Sequence, residues 1–210
     1  MLHHTHHVRL GQTTMTKTVE FLFDVGSPTT YLAWTQLPKI CAETGATLVY
    51  TPILLGGVFQ ATGNVSPAAV PAKGSYMTAD LTRFADRYGV PFNHNPSFPI
   101  NTLVLMRGAV GVQLRWPERF DTYLKAVFSA LWVEQKNLND PAVLMATLAA
   151  AGFEPAAMQA LVAEPAVKDT LRANTEAAVA RGVFGAPTMF VGKTMYFGQD
   201  RLDFVREALL

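Results

Sequence analysis

The sequence predicts an α/β fold in three parts: a βαβ unit, an all-helical block and a closing ββα unit. Three observations predict it. Strand-like, helix-like and again strand-like segments follow one another within residues 18–52. Helix-period segments then run without an intervening strand pattern through residues 75–182. Two short β-rich runs flank Gly192-Lys193, just ahead of a last amphipathic segment.

Each element has a local reason. "TVEFLFDV" (18–25) mixes β-branched and aromatic residues and reads as a buried strand. The helix predicted over 28–44 opens on Pro28, whose missing N–H costs nothing at a first helical position, and stops at Gly45. Pro38 inside it should kink it. "ATLVYTP" (46–52) is the second strand, parallel to the first through a right-handed crossover. Residues 53–74 are rich in Gly, Pro and small polar residues and read as a long irregular segment. Met77, Leu81, Phe84 and Tyr88 then recur at helical spacing. "NTLVLMRGAVGVQLRW" is apolar nearly all round and predicts a buried helix. The next segment places Phe120, Leu124, Val127, Phe128 and Leu131 on one face. Further helices follow in "DPAVLMATLAAAG", near 155–162 and in "AVKDTLRANTEAAVARG". "APTMFVGKTMYFGQ" is a hairpin signal, and "DRLDFVREALL" closes with a helix. The first and last pieces together make a thioredoxin-like sheet with helices on both faces. The expected division is a thioredoxin-like domain over 18–74 and 183–210, a helical insertion over 75–182 and a disordered or tag-like leader over 1–17.

Composition narrows the function classes. The chain has 210 residues, 50% hydrophobic and 16% charged, enough apolar material for one domain with a substantial core. A formal charge of +1, with Lys and Arg scattered, carries no nucleic-acid footprint. No apolar run has the length of a membrane span. The single cysteine, Cys41, excludes an intramolecular disulfide and a CxxC pair, and fits a cytoplasmic location. Cys41 falls on the first helix, where a small buried hydrophobe is expected. Four of the five histidines lie in "MLHHTHHVRLGQTT", and no Cys or carboxylate completes a closed metal site there.

Four places carry candidate chemistry. Ser27 stands where the first strand hands over to a helix. It is either a helix cap or a hydroxyl aimed at a reacting anion, which the positive end of the helix would also stabilise. The G-x-S-x-G elbow of serine hydrolases is absent, and nothing sets His94 beside Ser27. Ala186-Pro187, in "VFGAPTMFV", is either an ordinary turn or a cis-Pro turn exposing the Ala186 backbone to an extended ligand. Gln199 and Asp200 precede the last helix, as caps or as ligands for a zwitterion. Asn64 and Lys73 lie in the long segment, where an exposed lysine alone means little.

The ordered set "DVGSPTTYLA", "LLGGVFQATGN", "VPAKGSYM", "FPINTLVLMRGA", "GVFGAPTMFV" and "FGQDRLDFV" resembles the 2-hydroxychromene-2-carboxylate isomerases. These group with the kappa-class glutathione transferases and are relatives of the DsbA oxidoreductases. The resemblance covers residues 18–210. It implies glutathione as cofactor, a homodimer and a small aromatic carboxylate as substrate. Ser27 would hydrogen-bond the glutathione sulfur, whose pKa the first-helix dipole lowers. Asn64 and Lys73 would contact glutathione from the long segment, Lys73 at the glycyl carboxylate. Ala186, before cis-Pro187, would pair with the cysteinyl unit, and Gln199 and Asp200 with the γ-glutamyl end. The activity implied interconverts 2-hydroxychromene-2-carboxylate and trans-o-hydroxybenzylidenepyruvate by reversible thiolate addition, a step of aromatic catabolism. Arg107, Tyr76, His94 and Trp132 are candidates for lining the substrate slot. Thr29-Thr30 departs from the family pattern beside Ser27. A glutathione transferase uses the same thiolate machinery and is the alternative. A thiol oxidoreductase is disfavoured without CxxC, and a non-catalytic thiol-binding module is a third class.

Overall fold

A computed structural model describes residues 16–210; the expected leader lies largely outside them. Four strands form one sheet in the order β2-β1-β3-β4. Strand β1 (Thr18–Phe23) pairs parallel with β2 (Thr47–Pro52) and antiparallel with β3 (Thr188–Val191), which pairs antiparallel with β4 (Thr194–Phe197). Period-two alternation sends Val19, Phe21 and Phe23 into the main core, while Leu22 packs with Ile53, Val58 and Phe190 on the other face. The expected βαβ and ββα units are both present, joined by helices, and the fold is the predicted thioredoxin-like one.

Helix α1 (Pro28–Thr44) starts and stops where the sequence indicates and continues through Pro38; Gly45 takes the left-handed conformation at φ 69°. Cys41 is buried on it, and burial pushes its thiol up. The segment 53–74 is not irregular. It contains α2 (Leu55–Thr62), a 3-10 turn (Pro67–Ala69) and the start of α3 (Pro71–Tyr88). Helix α3 therefore crosses the expected division between residues 74 and 75, and Lys73 is helical. Two adjacent glycines, Gly56 and Gly57, obscured α2, because glycine has poor helix propensity. Tertiary packing overrides that preference: Val58 is fully buried and α2 lies against α8 (Pro165–Ala180).

Helices α4 (Leu103–Arg115), α5 (Phe120–Trp132), α6 (Pro141–Ala150) and α7 (Pro155–Ala163) complete the block. α4 packs against α5, α7 and α8, as its all-round apolar surface requires. Phe120, Leu124, Val127, Phe128 and Leu131 all turn inward from α5. Helix α9 (Leu202–Leu209) returns to the sheet and to α1. Among the described residues, no single helix is long and apolar enough to cross a membrane.

Candidate active site

Strand β1 ends one residue before Asp24, and the turn that follows is fixed from every side. Asp24 is 1% exposed, yet its carboxylate accepts three hydrogen bonds. Oδ1 takes the Gly26 N–H at 2.9 Å; Oδ2 takes the Leu55 N–H at 2.8 Å and the Thr102 hydroxyl at 2.9 Å. One side chain thus joins the turn, the start of α2 and the approach to α4. Burial outweighs these bonds and raises the carboxyl above its ordinary value. Below the turn, Trp132 Nε1 donates to the Val25 carbonyl at 2.9 Å, and the Val25 N–H meets Met106 Sδ at 3.4 Å. Gly26 is required by close approach: a Cβ there would lie 2.5 Å from Thr102 Cγ2.

This scaffold presents Ser27 as the N-cap of α1, where Oγ accepts from the Thr30 N–H at 3.2 Å. The cap uses only the acceptor side of this hydroxyl. The same Oγ donates to the Ala186 carbonyl at 2.9 Å and lies 2.8 Å from Thr29 Oγ1. Thr29 Oγ1 is itself 3.3 Å from that carbonyl. Two hydroxyl protons and three acceptor positions therefore share one small network. The Ala186–Pro187 bond is cis, and Ala186 N–H makes no hydrogen bond among the described residues. Gly185 allows the loop to approach β4, since a Cβ there would lie 2.7 Å from the Phe197 ring.

A cavity of about 580 Å³ opens beside Ser27. Ser27, Asn64, Ala186, Gln199 and Asp200 all border it, so five of the residues singled out in sequence converge. Pro187 adjoins them through the cis bond. Asn64 is already engaged: Nδ2 donates to the Phe184 carbonyl at 2.8 Å and Oδ1 accepts from the Val65 N–H at 2.9 Å. Gln199 is buried and lies in a 3-10 turn (Gln199–Arg201) ahead of α9; its carbonyl accepts from Tyr88 Oη at 2.7 Å. The Tyr88 phenol is pushed up to about 12, chiefly by burial. Asp200 pairs with Arg201 at 2.6 Å and caps no helix with its side chain. Lys73 does not border the cavity. It stands in the first turn of α3, one turn before Met77, which does border it.

None of the four residues considered for the substrate slot borders this cavity. Trp132 is fully buried beneath the turn. Tyr76 is 63% exposed, and Arg83 lies over its ring. His94 is exposed beside Phe98, and Arg107 faces a different cavity. The apolar lining comes instead from Leu55, Phe59, Phe98, Ile100, Phe184 and Phe197, with Phe184 and Phe197 in ring contact at 4.6 Å. Its acids are Asp24, Asp80 and Asp200; among the described residues no Lys, Arg or His borders it. Sequence reading also missed Asp24 and Thr29 as site residues. Both stand in "DVGSPTT", but the partners that tie them to the rest of the site are 31 to 157 residues away. A second cis bond, Phe98–Pro99, shapes the rim in "SFPI".

A β1–turn–α1 unit facing a cis-Pro loop, with a helical block inserted in the sheet, defines a thioredoxin-fold protein of the DsbA type. The model of the DSBA-like thioredoxin domain matches residues 18–210, and the chain belongs to that family. It is 33% identical over 198 residues to a 2-hydroxychromene-2-carboxylate isomerase of Sphingobium xenophagum, covering 93% of this chain and 100% of that one. It is 29% identical to the human glutathione S-transferase kappa 1, covering 92% and 91% of the two chains. A solved 2-hydroxychromene-2-carboxylate isomerase superposes with a TM-score of 0.81 at 30% identity, over 91% of this chain and 94% of that one.

Proposed function

We propose that this chain is a glutathione-dependent isomerase that interconverts 2-hydroxychromene-2-carboxylate and trans-o-hydroxybenzylidenepyruvate. The observation that carries the reading is the meeting of Ser27, the first turn of α1 and the Ala186 backbone in one cavity, in a chain one third identical to such isomerases. The cavity's volume lies within the usual range of small-molecule sites, about 300–1,000 Å³. Its groups fit a tripeptide thiol: hydroxyls and helix amides for a sulfur anion, a free N–H at Ala186 for the peptide, and Asp200 for an ammonium. Bound glutathione supplies a reversible nucleophile, whose addition makes the substrate's double bond rotatable and whose elimination restores alkene and thiol.

The chain's own residues do the rest. The first turn of α1 points N–H groups and the positive end of its dipole at the sulfur position. Ser27 directs a proton there. In the structure that proton goes to Ala186 O, and Thr29 is placed to take over the carbonyl when Ser27 turns to the sulfur. Thr29 is thus a positioning residue. Thr29→Val should lower turnover about fivefold, the worth of one ordinary hydrogen bond, and raise the pH at which bound thiol ionises, while Thr29→Ser restores both. Thiolate ultraviolet absorbance against pH measures this; an unmoved titration would remove Thr29 from the network. Asn64 fastens the rim segment to Phe184, and Gln199 and Asp200 hold the γ-glutamyl end. Lys73 reaches the glycyl carboxylate from the first turn of α3. Lys73→Ala should raise the apparent glutathione constant severalfold with turnover little changed, as loss of a partly exposed ion pair predicts. Initial-rate kinetics at varied glutathione decide it.

The deciding assay follows the absorbance of 2-hydroxychromene-2-carboxylate with and without glutathione. Conversion only with the thiol, and none of it consumed, supports the isomerase. One observation favours a second reading, a glutathione transferase: a lining without Lys, Arg or His suits an uncharged electrophile. Accumulating conjugate with falling glutathione would establish that activity instead.

A further inference from the structure

A second cavity, of about 730 Å³, lies on the other side of α2, between that helix, α4 and α8. Helix α2 serves both cavities: Leu55, Gly56 and Phe59 border the first, and Leu54, Gly57 and Ala61 the second. The walls of the second join aliphatic side chains, Leu54, Leu103, Leu171 and Val179, to the charged Lys168, Asp169, Arg172 and Glu176 of α8. To these α4 adds Arg107. Its Nε is buried and has no hydrogen-bond partner, and its guanidinium forms no ion pair among the described residues.

An arginine stays charged in any protein, and a buried guanidinium donor without an acceptor is costly. The cavity's other charges do not relieve it. Asp169 pairs with Arg172 one helical turn away, Lys168 adds a like charge, and Glu176 stands in the wall without closing on Arg107. Cations number three and acids two, so the lining carries a net positive charge, and Arg107 Nε is its buried donor without an acceptor. Planar donors on an apolar floor match a flat carboxylate better than a strongly hydrated anion. We propose that this cavity is a second small-molecule site, taking an apolar molecule that bears one carboxylate, with Arg107 as its anchor. The assignment does not depend on the chemistry at Ser27.

Isothermal calorimetry with 2-naphthoate as the probe tests it on the full chain. Wild type should bind, Arg107→Met should bind about tenfold more weakly or worse, and Arg107→Lys should fall between. Naphthalene-2-carboxamide should bind wild type no better than 2-naphthoate binds Arg107→Met. Ala61→Trp, at an exposed position, should occlude the cavity and abolish binding without touching Arg107. Amide chemical shifts in labelled protein should move along α8, around Leu171 and Thr175. Equal affinity in wild type and Arg107→Met overturns the proposal, as do shifts confined to the Ser27 turn. It also falls if 2-naphthoate binds Glu176→Gln but not wild type, since Glu176 would then be the native partner of Arg107.

Discussion

Ser27→Ala is expected to lower turnover roughly 10- to 100-fold while the protein stays folded. A hydrogen bond to a charged group contributes about 1.5–3 kcal/mol, and this variant removes the side chain proposed to donate to a thiolate at the α1 terminus. Its structural cost is smaller: loss of a serine cap costs about 1 kcal/mol, and Thr29 remains 3.3 Å from the Ala186 carbonyl to keep that acceptor satisfied. The two effects are separated by measuring kcat alongside chemical denaturation. The titration of bound thiol should move to higher pH in the variant, because the anion alone loses a donor. Full turnover in Ser27→Ala would leave Ser27 as a cap and nothing more.

Asp24→Ala is expected to produce the largest loss of stability. It leaves the partly buried N–H groups of Gly26 and Leu55 and the buried Thr102 hydroxyl without their acceptor. Unsatisfied buried donors cost about 1–3 kcal/mol each, partly offset by removal of a buried carboxyl, for a net near 3 kcal/mol. For a chain of this size that lowers the melting temperature by roughly 6–12 °C. The pH dependence has a definite sign. The folded-state pKa of Asp24 is raised above the ordinary 3.8. Its contribution to stability is therefore full below that value and is lost as pH rises through the folded pKa. The deficit of Asp24→Ala should accordingly be wider in acid than at neutral pH, by denaturant titration at both. A deficit that does not change with pH would show that Asp24 carries no shifted titration.

The sequence made the scaffold legible where chemistry is local. Pro28 and Gly45 bracket α1, β1 announces itself by composition, and the inward face of α5 follows from spacing alone. Ser27, Ala186 and Gln199 were legible through short motifs at element ends. Long-range relations were not. That Asp24 ties a turn to α2 and to Thr102, or that Arg107 faces away from Ser27, depends on how α4 is rotated against α2 and α8. No local pattern encodes that rotation. Trp132 illustrates the same limit. An indole looks suited to line an aromatic slot, but here its ring is spent on filling the core and its N–H on Val25.

The burial of Cys41 sets how this protein meets its surroundings. The thiol is the chain's only one, 6% exposed and harder to ionise than usual. If sulfur chemistry runs at the Ser27 site as proposed, its nucleophile comes from a diffusible thiol and not from Cys41. Oxidised glutathione finds no accessible thiolate with which to form a mixed disulfide. The fold is shared with disulfide-exchange catalysts, yet with a single buried cysteine this member has no thiol pair of its own to cycle.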